Sequence, residues 1–306
     1  MLEVMKRHLD FEPGGAKQVL QLRRELVKRI VRVVALVCAG WLGTAAAQTA
    51  TETTTGSATP GRSMLGVETP KGYSNWDMQV LYGNQFREPG NPNDVAKGIV
   101  TFENSSGWSW GSSYFFVDIL RSDGNDQHAT EVYAEWYPSA SLSKLSGTRL
   151  SLGPLRDVSA TLGINAGTKS TGAEPLVFLP GLTLDLNIPG FKFFSLGTYA
   201  YIDQGRVSGA SNGCHSTTYQ VTPSWSLPFS IGAVKLSFDG FVDFIGSHGQ
   251  CAKQVLSQPQ LKLDIGALWA KPGKFSVGIE WQYWDNKFGI DGLKESFPQL
   301  MVQWVF

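Results

Sequence analysis

The chain has 306 residues and a formal net charge of zero; 42% of it is hydrophobic, 12% aromatic and only 17% charged. Soluble globular chains carry about 25% charged residues, so much of this surface is expected to face something other than water. A balanced charge argues against a nucleic-acid partner, which needs a basic footprint; composition alone is also met by a glycine-rich, secreted all-β domain.

In chain order, the first element is a secretory signal. Lys28, Arg29 and Arg32 precede or interrupt an apolar run at 30–42, and Ala45, Ala46 and Ala47 follow. A positive region, an apolar core and a small-residue cleavage site make a signal peptide. The run is shorter than the roughly 20 apolar residues a membrane helix needs. The stretch before Val27 is too long for an n-region, so translation is expected to begin nearer Val27. Residues 1–47 are therefore set apart from the fold. Cys38 follows the branched Val37, which argues against lipid attachment. Residues 48–72 are rich in Thr, Ser and Gly and read as a flexible lead-in to a domain over 73–306.

From Asn75 onward, segments of about ten residues alternate in polarity and end in turns. Twelve are expected, at 74–83, 97–105, 110–121, 129–138, 157–166, 175–188, 191–203, 215–226, 231–245, 257–270, 273–284 and 296–306. Leu236, Phe238, Gly240, Val242 and Phe244 share one face, against Lys235, Ser237, Asp239, Phe241 and Asp243. Leu261, Leu263, Ile265, Ala267 and Trp269 oppose Lys262, Asp264 and Gly266. Leu300, Val302, Trp304 and Phe306 oppose Gln299, Met301, Gln303 and Val305.

A period of two fits a soluble sandwich or a membrane barrel. Three features favour the barrel. Short connections at 107–110, 188–190, 227–230 and 271–274 alternate with longer ones, although 139–156 is long where a short turn is due and is expected to be partly strand. The segment number is even. Trp76, Tyr82, Trp136, Tyr137, Trp225, Trp269, Tyr283 and Trp304 lie near segment ends, as interfacial girdles require. In lipid no sheet edge can persist, so the last segment must close onto the first. The expected fold is a twelve-stranded antiparallel transmembrane β-barrel in the bacterial outer membrane, in contact with lipid and inserted by the barrel-assembly machinery.

Cys214 and Cys251 fall in neighbouring external loops. A disulfide is permitted in that oxidising compartment; two free thiols are the alternative. His215 and His248 beside them would allow a metal site, but solvated loop histidines beside a disulfide are the preferred reading. No histidine falls within a segment body, which argues against a membrane hydrolase, and no cofactor is implied.

Alternation points Asp77, Glu103, Asp118, Glu131, Glu135, Asp185, Asp203, Asp239, Asp243, Asp264, Glu280, Lys235 and Lys262 inward. Tyr114, Phe116, Tyr133, Phe193, Tyr199, Tyr201 and Phe241 point the same way. Such carboxylates can simply pair with bases, with Arg121, Arg149, Arg156 and Arg206 as candidates. Aromatics beside hydrogen-bonding charges also suit a flat heterocycle carrying hydroxyls. Residues alone lead to a small-solute channel or a plugged barrel.

Five stretches add a resemblance: TFENSSGWSWGSSYFFVDI (101–119), EVYAEWYPSASLSKLSG (131–147), LDLNIPGFKFFSL (184–196), YQVTPSWSLPF (219–229) and GIEWQYWDNKFG (278–289). Together with QPQL at 258–261 and the terminal QWVF, they resemble the nucleoside-specific channel-forming outer-membrane proteins (Tsx/OmpK-like) over nearly all of 73–306. The resemblance implies a narrow monomeric barrel for passive nucleoside uptake, and service as a phage receptor. It makes Glu103, Tyr114, Phe116, Asp118, Glu131, Glu135, Glu280 and Lys287 family-pattern positions. Tyr199 and Asp239 join them as lumen candidates. The cysteine pair departs from the family pattern.

Overall fold

The computed structural model describes residues 72–169, 174–205 and 214–306. The expected signal peptide and all of the lead-in except Gly72 lie outside these residues. The strands are β1 (Tyr73–Phe86), β2 (Val95–Gly107), β3 (Gly111–Ser122), β4 (Thr130–Ser141), β5 (Leu155–Thr168), β6 (Leu176–Leu186), β7 (Phe193–Asp203), β8 (Thr217–Ile231), β9 (Val234–Ile245), β10 (Gln254–Ser257), β11 (Gln260–Asp264), β12 (Phe275–Asp285) and β13 (Glu295–Val305).

Each strand pairs antiparallel with its neighbours, and β13 returns to β1 with Asp77 opposite Val305 and Tyr82 opposite Leu300. The ring is closed, so no row of backbone donors and acceptors is left facing lipid. β10 and β11 are two halves of one stave. Both pair with β9 and β12, and the register is unchanged across the gap, with Leu256 opposite Asp243 and Gln260 opposite Asp239. Thirteen strands therefore make a twelve-stave barrel. The gap falls at Gln258 and Pro259 because proline has no N–H to give the ladder.

Side chains alternate as a period of two requires. On β13, Ser296, Pro298, Leu300, Val302 and Trp304 are exposed outward, while Phe297, Gln299, Met301 and Gln303 are buried inward. Val80, Tyr82, Ile119, Val132, Trp136, Leu162, Leu182, Leu261 and Ile279 continue the apolar outer wall. An apolar outside with a polar inside inverts the order of a soluble protein and fits lipid, so this is a barrel of the bacterial outer membrane.

Several boundaries differ from expectation, each for a local reason. The stretch 227–230 is strand, not turn, and β8 runs on to Ile231. β7 pairs with β8 only as far as Ser226, so Pro228 lies where β9 is the only neighbour, and proline is tolerated there. The turn is instead Gly232–Ala233, with Gly232 at φ +60°. The expected strand 257–270 stops at Asp264. The Asp264 carboxylate accepts from the backbone N–H of Ala267 (3.1 Å) and Gly273 (2.8 Å), which winds 266–269 into a 3-10 turn. Ile265, Ala267 and Trp269 thus leave the alternation. The long connection after β4 is partly strand, as expected, and then a single helical turn, Leu142–Ser146, whose N-cap Ser141 accepts from Lys144 N–H.

Candidate functional site

The interior is layered along the barrel axis. Stepping inward along β2, Lys97, Ile99, Thr101 and Glu103 follow one another on the lumen face. They belong to an ionic layer at the outer end, an apolar layer beneath it and a polar layer in the middle.

The middle layer is a connected amide–carboxylate network. Gln79 donates to Asp77 (3.1 Å) and Glu103 (3.3 Å), and Gln303 donates to Asp77 (3.0 Å). Gln260 donates to Gln79 (3.3 Å) and Glu280 (2.8 Å), and Gln299 donates to the other Glu280 oxygen (2.8 Å). Lys262 reaches Gln303 (3.0 Å) and forms an ion pair with Asp239 (2.9 Å). On the neighbouring strands β2 and β3, Thr101 donates to Asp118 (2.5 Å) and Tyr114 to Glu103 (3.0 Å). Glu135 accepts from Tyr133 (2.6 Å) and Asn165 (3.0 Å), and Asp243 from Gln220 (3.0 Å) and Thr222 (2.6 Å).

Rings line the wall beside these groups. Tyr114, Phe116 and Tyr133 form a run with successive centroids 6.1 Å apart, and Tyr137 lies 6.1 Å from Tyr199. Tyr114 is 39% exposed although it points inward, so the lumen beside it is open space. Tyr137 therefore belongs to the lumen, not to the interfacial girdle expected from sequence, because its partner Tyr114 sits on the inner face of β3.

The apolar layer consists of Leu81, Phe86, Val95, Ile99, Phe297 and Met301, with Leu120 packed against them. It fills the lumen side of the β13–β1–β2–β3 wall. Packed against it at the outer end, with Val95 outward and Ile99 inward of Lys97 on β2, stand three lysines and three glutamates. Lys97 meets Glu88 and Glu131, each at 2.8 Å; Lys169 meets Glu131 (3.0 Å) and Glu88 (3.5 Å); Lys287 meets Glu295 (2.6 Å) and Glu88 (3.5 Å). Burial alone would raise the Glu88 carboxyl, but the ammonium groups of Lys287, Lys169 and Lys97 hold it down at about 2. Burial, reinforced by the neighbouring Lys287 charge, pulls Lys169 below the usual lysine value despite its carboxylate partners.

The sequence-predicted residues thus divide. Glu103, Tyr114, Phe116, Asp118, Glu135, Tyr199, Asp239 and Glu280 lie in the middle layer. Glu131 and Lys287 lie in the ionic layer at the mouth. The arginines expected as carboxylate partners fill that role poorly. Arg156 reaches Asp185 only at 3.9 Å on an exposed site, Arg121 donates to Thr130, and Arg206 lies outside the described residues. Lysines 97, 169, 262 and 287 take it instead. Glu88, Lys169 and Glu295 escaped the sequence reading because they sit in loops or at a strand end, where a period of two carries no signal.

Cys214 and Cys251 are joined by a disulfide across the outer loops, with Cα atoms 5.2 Å apart. Beside it, His248 contacts Asp203 (3.2 Å), and that hydrogen bond raises the imidazole above its ordinary value. A depression of about 610 Å³ lined by Tyr82, Leu261, Ile279 and Leu300 lies on the outer wall and faces lipid, away from the polar chemistry of the lumen.

No curated protein matches the chain in sequence. Among solved structures the barrel is similar to a KdgM porin (8% identity, 76% of this chain and 99% of that one, TM-score 0.40). It is also similar to the β domain of the Bordetella autotransporter BrkA (9%, 76% and 98%, TM-score 0.35) and to Pseudomonas putida OprB (8%, 77% and 94%, TM-score 0.29). Likenesses this distant carry no functional argument. The family model described as "Domain of unknown function (DUF5020)" matches residues 82–306, from the middle of β1 through the closing strand, and the chain belongs to that family.

Proposed function

We propose that the barrel is a passive outer-membrane channel for small solutes that combine a flat ring with hydroxyl groups, nucleosides first among them. The observation that carries this reading is the run Tyr114–Phe116–Tyr133 beside the Asp77–Glu103–Glu280 network, with the Tyr114 ring open to the lumen. A ring can stack on the aromatic run while carboxylates accept from sugar hydroxyls. Glu103, Tyr114, Phe116, Asp118, Glu135, Tyr199, Asp239 and Glu280 would serve successive weak sites, and Glu131 and Lys287, buried in the ionic layer, would meet the solute at the mouth only once that layer parts. Each site must bind weakly, or release becomes limiting. No energy source enters the scheme. The resemblance to nucleoside channels supports the choice of solute.

The test is uptake by proteoliposomes across nucleosides, sugars and amino acids. Nucleoside flux should saturate, and Phe116→Ala should raise the half-saturating concentration roughly tenfold, given ~1–3 kcal/mol for a stacked base. Asp118→Ala should also lower flux. Equal rates for nucleosides and sugars of similar size would sink the idea. A second reading is a non-conducting surface barrel that works through its loops, phage adsorption included. The filled ionic and apolar layers favour it, and it requires zero flux for every solute.

A further inference from the structure

Glu88 stands outside the strands, in the connection between β1 and β2, yet it is 1% exposed. It contacts three lysines from three places: Lys97 on β2, Lys169 at the end of β5 and Lys287 in the connection between β12 and β13. β5 stands three staves beyond β2 around the ring, so the Lys169 contact with Glu88 (3.5 Å) cuts across the mouth as a chord, while its contact with Glu131 joins the neighbouring staves β4 and β5. The connection after β12 is tied in twice more, because Lys287 donates to the carbonyl of Arg87 (2.8 Å) and Arg87 N–H donates to Glu295 (2.7 Å). Phe86, Trp284 and Phe288 pack their rings within 6.0 Å of the Lys287 ammonium.

A buried ionic cluster is a poor device for stability. Desolvating each ion costs several kcal/mol, and well-packed apolar residues of similar volume often do as well. What such a cluster does well is hold one arrangement and refuse intermediates, since removing a single member leaves a buried charge without compensation. Packed beside it and inward of it, Phe86, Phe297, Leu81 and Met301 make the lumen wall apolar. A narrow apolar zone resists wetting and so resists the passage of polar solutes.

We propose that these two clusters form a gate at the outer mouth, an ionic latch centred on Glu88 packed against an apolar neck, and that the latch must part for solute to pass. The inference rests on the channel reading given above. Breaking the latch frees the β1–β2 and β12–β13 connections from each other and lets water reach the neck. The middle layer, which recognises the solute, is left as it is.

The experiment uses the full barrel in planar bilayers, comparing wild type with Glu88→Gln. Folding is checked by faster migration of the unheated barrel in detergent gels, and latch opening by acetylation of the Lys97 amine read by mass spectrometry. Glu88→Gln should raise mean conductance at least about threefold and make Lys97 reactive. Lys287→Met, which keeps the stem and removes the charge, is the second variant and should act in the same direction if Glu88→Gln fails to fold. Equal conductance in wild type and variants, with Lys97 newly reactive, overturns the gate and leaves the channel standing. No conductance in any of them, with Lys97 reactive, overturns both. Lys97 unreactive in a folded variant shows that Glu88 and Lys287 do not hold the latch, and the gate falls on that ground.

Discussion

Gly240 sits at φ +149°, and a Cβ placed on it would lie 2.8 Å from Pro259 Cα and 2.9 Å from the Gln258 carbonyl oxygen. The interrupted stave therefore approaches β9 at the one position without a side chain. Gly240→Ala should cost on the order of 1–3 kcal/mol, the usual worth of backbone strain. It should appear as a lower temperature for loss of the compact form in detergent gels, and an unchanged temperature would refute the close approach. Glu88 gives a second residue-scale prediction. Its folded value lies below the ordinary 4.5, at about 2. Its stabilising contribution is therefore complete above the ordinary value and is lost as pH falls towards the folded one. Hydrogen exchange in 87–94, corrected for intrinsic rates, should stay slow at about pH 6 and quicken between about pH 4 and pH 2. Unchanged protection across that window would remove Glu88 from the ionic layer. The residue scale is also where sequence reading reached least far. Asp264 has the right parity for the lumen, yet its carboxylate is spent on the backbone of its own turn.

Alternation places a strand's two faces, but only the closed ring says which face meets lipid. β13 displays this most plainly, with Leu300 67% exposed between Tyr82 of β1 and Ile279 of β12. Leu300→Arg should therefore cost about 2–4 kcal/mol in a bilayer, the penalty for a base at mid-depth on the lipid face. Urea titration of the barrel in lipid vesicles would measure it; a cost near zero would mean that this face does not meet lipid. Element ends were read less well than element bodies. Proline and glycine in 227–230 and 271–274 signal turns, but a proline beside an unpaired stretch of strand is tolerated, and a turn can begin several residues earlier when a carboxylate caps it. The stave broken at Gln258 and Pro259 was expected as one strand, and in pairing it behaves as one.

At the scale of the molecule, the disulfide spans 37 residues and joins the connection after β7 to the connection after β9, both at the outer mouth. Non-reducing mass mapping should recover one linked Cys214–Cys251 peptide; two free thiols would end the assignment. Cys214→Ser together with Cys251→Ser should speed proteolysis in the outer loops and leave the compact barrel intact, because the strand ladder does not pass through the bond. The sequence by itself pointed to the barrel: a period of two over twelve stretches, an apolar face on each and an aromatic closing strand fit strands set in lipid, which offers backbone groups no partner and so requires the ring to close. It also determined which carboxylates and rings share a face, since alternation is a property of the strand alone. Only the tertiary structure decided how those side chains are used. Whether Glu131 and Lys287 stand open to solute or are locked with Glu88, Lys97, Lys169 and Glu295 depends on which residues the ring brings together. Those partners come from strands and connections far apart in the chain, and local periodicity carries no information about contacts across a lumen.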